Sequence, residues 1–152
     1  MTGLICIGDR SWATVDRGVV MLRAEDWLRQ AKNNLEHAVL SHNAGHYQWA
    51  CFAAQQAAEM ATKALFRALG ADAWSHSVAR LLRDLPDPID VDERMLALAR
   101  VLDRHYVPAR YPNGLPAGTP REAFDGTDAE EAIRAARSIV EFCESEMAAR
   151  SR

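Results

Sequence analysis

Disulfide chemistry has little to work with in this chain: among its 152 residues stand only Cys6, Cys51 and Cys143, far apart and without a Cys-x-x-Cys pair. That excludes a disulfide framework and a sulfur-ligated zinc site, and it favours a reducing, cytoplasmic setting. No apolar run approaches the ~20 residues that span a bilayer, so no membrane association is expected. The apolar stretch Leu4 to Ile7 is short and has no basic residue before it, unlike a secretory signal. An acidic tail and a basic arm are both missing. Lys and Arg total 18 against 21 Asp and Glu, a formal charge of -3, which argues against a generally basic nucleic-acid-binding surface but leaves room for a local patch. β-Branched residues are sparse beyond the first twenty positions, whereas Ala, Leu, Glu and Arg abound, a balance that favours helix over sheet.

The first twenty residues stand apart. Gly3, Gly8 and Gly18 punctuate the β-prone pieces Leu4 to Ile7 and Val19 to Met21. Residues 1–21 therefore read as a poorly ordered extension, or as sequence preceding a natural start at Met21. Residues 22–149 read as one helical domain. From Ala24, the residues Trp27, Leu28, Ala31, Leu35, Ala38 and Val39 recur at helical steps until Asn43-Ala-Gly45. A second helix runs from about Tyr47 to Leu69. Its alanines at 50, 53, 54, 57, 58 and 61 allow close helix packing, and Gly70 stops it. Ser75 can cap a short third helix. Asp92 starts a fourth with Met95, Leu98 and Leu102 on one face, which must end before Pro108. A loop from Tyr106 to Phe124 holds four prolines and two glycines. Thr127 with Glu130 then offers a capping box for the last helix, whose buried stripe is Ile133, Ala136, Val140, Cys143 and Met147. So long a connection in a small domain usually binds something or moves.

The richest chemistry lies in Arg100-Val-Leu-Asp-Arg104-His105-Tyr106-Val-Pro108-Ala-Arg110-Tyr111-Pro112-Asn113. Arginine offers a planar fork of donors for phosphate oxygens, tyrosine can stack on a base, and histidine exchanges protons near neutral pH. Those are the groups that a nucleotide or an RNA phosphodiester needs. The plainer alternative is that the arginines pair with carboxylates and the tyrosines pack the loop. His37, His42 and His46 lack completing ligands, so no metal is expected. Glu59 and Lys63 read as a helix-surface ion pair, and Trp27, Trp49 and Trp74 as core or interface residues.

Tyr106-Val-Pro-Ala-Arg-Tyr-Pro-Asn113 resembles the tyrosine–proline–arginine–tyrosine–proline signature of many HEPN domains. Asp26-Trp-Leu-Arg-Gln-Ala-Lys32, Trp49-Ala-Cys-Phe-Ala-Ala-Gln-Gln-Ala-Ala-Glu59 with Lys63 and Ala64, and Ser75-His-Ser-Val-Ala-Arg-Leu-Leu82 agree with it in order and spacing. The resemblance covers roughly Leu22 to Met147. It implies an all-α, up-and-down bundle of four to five helices with one long loop before the last, commonly a homodimer without a cofactor. It also implies binding of a nucleotide or RNA phosphate through Arg104, Tyr106, Arg110 and Tyr111, alongside a nucleotidyltransferase-type antitoxin. A small–His–Ser/Thr–apolar element recurs in the family where this chain has His76, which suggests a place for that residue on the ligand side.

Ribonuclease members of the family are similar in an Arg–apolar–three residues–His element, which Arg100 and His105 match. The resemblance then implies a metal-independent ribonuclease toxin, with His105 moving protons and Arg100 holding phosphate. Five residues turn an ideal helix by about 140°, so the pair shares a face only with a bend or a partner subunit. Two alternatives stay open. His105 simply continues the Met95–Leu102 face, or the whole domain is a non-catalytic dimerisation module.

Overall fold

The structure, a computed structural model, describes residues 2–7, 11–86 and 88–151, with side chains from residue 23 onward. Strands β1 (Thr2–Ile7) and β2 (Ser11–Asp16) pair antiparallel, Thr2 opposite Asp16 and Ile7 opposite Ser11. β1 takes up the β-prone piece Leu4 to Ile7. The second such piece, Val19 to Met21, lies instead inside helix α1 (Arg17–Asn43), which begins well before Ala24. Nothing breaks helical geometry between Arg17 and Ala24, so the local β preference of two valines yields to propagation of the helix.

The remainder is an all-α bundle. α1 turns through Gly45, whose φ of 75° suits a residue without Cβ, into α2 (Tyr47–Ala68). The connection is only three residues long, which makes the two helices antiparallel neighbours. Gly70, at φ 74°, closes α2. Then follow α3 (Val78–Arg83), α4 (Glu93–Asp103), a single 3₁₀ turn at Pro112–Gly114, the one-turn α5 (Pro120–Ala123) and α6 (Gly126–Arg150).

α2 packs against α1 on one side and α6 on another, and α4 leans on α6 and α3. The alanine-rich face of α2 makes this possible: Ala50, Ala54, Ala57, Ala58, Ala61 and Ala64 are fully buried, and α1 answers with Ala24, Ala31 and Ala38. α6 supplies Ala129, Ala132, Ala135 and Ala136, with Ile139 and Cys143 filling what alanine leaves. Cys51 and Cys143 are buried free thiols, and burial pushes both up to about 12. They behave as small hydrophobes rather than nucleophiles.

Two helix starts differ from the sequence expectation. α3 is capped by Ser77, whose hydroxyl accepts from Arg80 N at 3.2 Å, rather than by Ser75. The cause is long-range. Asp103, at the end of α4, accepts from Ser77 Oγ (2.7 Å), Val78 N (2.6 Å) and Ala79 N (3.1 Å) and so fixes where α3 begins. α6 is boxed by Asp125 and Asp128 rather than by Thr127 and Glu130, each carboxylate accepting from the other's backbone N–H. The long connection is also more ordered than a bare loop. Ala109 N donates to His105 O and Tyr111 N to Val107 O, and Gly114 lies so close to Pro108 that a Cβ there would come within 3.0 Å of its Cα. Thr119 and Glu122 bracket α5 through the Glu122 carboxylate.

Candidate nucleotide-phosphate site

The turn that leaves α4 folds back as residues 104–111, and Arg110 is its hub. The Arg110 Nε donates to Tyr106 O at 2.8 Å, while its guanidinium carbon sits 4.4 Å from the Tyr106 ring, 4.5 Å from Phe52 and 5.0 Å from Tyr111. Three aromatic faces around one cation hold it by their quadrupoles without neutralising it. Among the described residues no carboxylate pairs with Arg110 or with the exposed Arg104. Arg110 thus keeps guanidinium donors for an anion, beside a Tyr111 ring that is half exposed.

Tyr106 carries a second partner. His76 stacks on it with ring centroids 5.0 Å apart and planes 15° from parallel. Beneath His76 lies Glu59, its side chain 6% exposed, with Oε1 2.8 Å from Lys63 Nζ and 3.1 Å from His76 Nδ1. Gln55 Nε2 and Gln56 Nε2 donate to Oε2 at 3.1 and 3.3 Å. The Glu59–Lys63 pair is therefore a buried hub and not the surface ion pair expected from spacing alone. Phe52, Glu59 and Lys63 were not anticipated as part of a site. Their signal was the stripe Trp49, Phe52, Gln56, Glu59, Lys63, at three- and four-residue steps on the side of α2 away from its alanines.

His76 and Arg110 thus both pack on the Tyr106 ring, and Arg110 also meets Tyr111. Arg100 and His105 are placed otherwise. Arg100 is exposed and ion-paired with Glu93, one face along α4. His105 turns inward and meets Phe124 edge-on, ring centroids 5.4 Å apart, with its Nε2 buried and without a hydrogen-bond partner. Burial lowers the His105 pKa from the usual imidazole value; Arg104 adds to the lowering, and Asp128 and Glu131 oppose it.

His37 lies within α1, and the two histidines at the α1–α2 turn have different partners. His42 Nε2 lies 3.7 Å from Glu130, and Arg121 donates to His46 Nδ1 at 3.1 Å. Among the described residues, no group of three His, Cys, Asp or Glu side chains is placed to hold a metal ion, and no helix is long and apolar enough to cross a membrane. Trp27 lies under the Arg67 guanidinium at 4.5 Å, and with Lys63 and Asp72 it lines a shallow cavity whose rim is Trp74, 95% exposed.

The family model described as "HEPN domain" matches residues 24–146. Among solved structures, a Thermus thermophilus protein is similar at 50% identity and a TM-score of 0.80, covering 82% of this chain and 98% of that one. A structure described as an archaeal HEPN homologue is 35% identical with a TM-score of 0.70, over 82% of this chain and 97% of its own. A HEPN domain protein of Thermotoga maritima is 38% identical with a TM-score of 0.65, over 79% and 95%. A curated relative from Methanocaldococcus jannaschii, described as a "putative toxin", is 27% identical over 135 residues, 83% of this chain and 89% of that protein.

Proposed function

The chain belongs to the HEPN domain family, and from that premise we propose that it binds the phosphate of a nucleotide or of single-stranded RNA on the surface built from Arg104, Tyr106, Arg110, Tyr111 and His76. The observation that carries this reading is Arg110. Its guanidinium is oriented by three aromatic rings, and among the described residues it is not paired with a carboxylate. A cation held in this way loses little further freedom when an anion arrives, and bidentate phosphate contact is what a guanidinium does best. Tyr111, half exposed beside it, offers a face to a base.

Binding should be strongest at low salt and fall as salt rises, because phosphate contacts release counterions. Anisotropy of a labelled single-stranded RNA oligonucleotide measures it. Tyr111→Ala should weaken binding by about 1–3 kcal/mol, and Arg110→Ala should also flatten the salt dependence. Wild-type protein that leaves the oligonucleotide and free ATP unbound at low salt would overturn the reading.

A second reading is a metal-independent ribonuclease toxin of a toxin–antitoxin pair. It is favoured by the M. jannaschii relative described as a "putative toxin" and by the Arg100–His105 spacing. In both readings the protein works in the cytoplasm as a homodimer, with a nucleotidyltransferase-type antitoxin as the partner expected in the toxin reading. Expression that arrests growth, relieved by the co-expressed partner, supports the toxin reading; a chain harmless at every expression level speaks against it.

A further inference from the structure

Trp74 is 95% exposed, more than any other large apolar side chain among the described residues. An indole left in water forgoes the burial that usually repays its size. Its backbone is nevertheless tied down on both sides. Ala71 N donates to Phe66 O at 2.9 Å, and Asp72 Oδ1 lies 3.2 Å from Arg67 Nη1. On the other side Gln55 Nε2 donates to the His76 carbonyl at 2.9 Å, and Asp103 anchors Ser77. Residues 71–77 therefore present Trp74 from a fixed segment, so little backbone freedom is lost when something covers it.

Beside Trp74, the shallow cavity is lined by Trp27 of α1, Lys63 and Arg67 of α2, and Asp72 and Ala73. The Arg67 guanidinium lies over the Trp27 ring and meets Asp72, and Lys63 Nζ meets Glu59 at 2.8 Å. Each cation has one carboxylate partner, while its other N–H groups meet no acceptor among the described residues. Asp26, next to Trp27 in α1, is shared by Arg23 and Arg29 and so does not stand unpaired. The cavity thus has spare donors and an indole at its border, with its formal charges balanced. A polyanion gains little there, because its affinity comes from cations that are not already neutralised. A single carboxylate beside an apolar side chain gains both a charge-assisted hydrogen bond and an aromatic contact. Tryptophan is also among the residue types that carry most of the energy of protein–protein contacts.

We propose that Trp74 and this cavity dock a partner protein through a segment in which an acidic residue adjoins an apolar or aromatic one. The partner's carboxylate accepts from Arg67 and Lys63, and the neighbouring side chain packs on Trp74. The chemistry differs from that of the Arg110 surface, where the cation has no carboxylate beside it, and it does not require RNA to be the ligand there.

The test selects random peptides displayed on phage against the full chain, then measures binding of a selected, labelled peptide by anisotropy. The expected sequences place Asp or Glu beside Leu, Ile, Phe or Trp. Trp74→Ala should weaken binding by about 10-fold or more, and Trp74→Phe by less. Arg67→Gln should weaken it by about 10-fold and remove most of its salt dependence, as should replacing the peptide's acid by its amide. Trp74 lies outside the core, so its variants should melt as wild type does. Selection of no consensus, of a basic one, or of peptides that bind Trp74→Ala as tightly as wild type would overturn the proposal. A labelled single-stranded RNA that displaces the peptide and loses affinity in Trp74→Ala would overturn it too, and give the surface to nucleic acid. Self-association lost in Trp74→Ala, by sedimentation velocity, would give the surface to a second copy of this chain, equally against the proposal. Peptide binding lost in Trp74→Ala with RNA binding intact is the result that supports it.

Discussion

His105 illustrates how one residue's surroundings set its pH behaviour. Its protonated form is disfavoured by burial in the folded chain, whereas in the unfolded chain it titrates near the ordinary value of about 6.5. The unfolded state therefore takes up the proton first as pH falls. The stability owed to neutral His105 is complete above about pH 6.5 and is lost as pH drops through that value toward the lower folded one. Wild-type protein should show an acid-side loss of thermal stability in this window. His105→Phe keeps a ring against Phe124 and removes the unpartnered nitrogen, so it should flatten that loss and hold or raise stability at pH 7 by about 1 kcal/mol. Melting curves from pH 7.5 downward check it, and parallel losses in the two proteins would exclude the desolvation argument. A similar contrast of surroundings sets Arg110 apart from Arg100. Two arginines of one short segment have different prospects, because one is neutralised by Glu93 and the other is cradled by rings.

At the scale of elements, α2 decides the packing. Ala58 and Ala61 are fully buried in a helix pressed between α1 and α6, so interaxial spacing is set by methyl groups. Ala58→Leu adds volume where no void receives it. It should cost about 1–3 kcal/mol without changing helix content, measured by urea unfolding followed by circular dichroism. A variant as stable as wild type would mean that the helices separate freely. The spacing of alanines made this face legible in advance, and Gly45 and Gly70 marked its ends. The polar face was harder to read. An i, i+4 glutamate and lysine look alike whether exposed or buried. Only the segment before α3, folded back over α2, turns Glu59 into an interior carboxylate with His76 upon it. The α3 cap was misplaced by two residues for the same reason. Ser75 and Ser77 are equal as local candidates, and the choice is made by Asp103, distant in sequence. The contacts of Arg110 with Tyr106 and Tyr111 are local in sequence and open to reading from it, whereas Phe52 and His76 reach the same cluster from distant parts of the chain.

At the scale of the molecule, the candidate site adjoins a group of exposed apolar side chains. Trp49 packs edge-on against Phe52, centroids 6.3 Å apart, and Phe52 in turn touches Arg110, which reaches Tyr111. Trp49 and Tyr111 are each about half exposed, and Val107 adds to the same turn. A contiguous aromatic surface of this kind is what a protein covers, with a ligand or with another chain. A homodimer contact through Trp49 would then share a boundary with the proposed phosphate site. Dimerisation through Trp49 would set a second copy of Arg104 and Arg110 near the first, widening one anion site into a groove. The expectation is a dimer by sedimentation velocity at micromolar concentration. Trp49→Glu should shift it to monomer with helix content unchanged, because Trp49 lies outside the core. The same variant should weaken RNA binding more than the loss of one side chain accounts for, as the groove halves. A monomeric wild type, or a monomeric variant that binds RNA as tightly as the dimer, would separate assembly from recognition and leave the aromatic surface to the ligand alone.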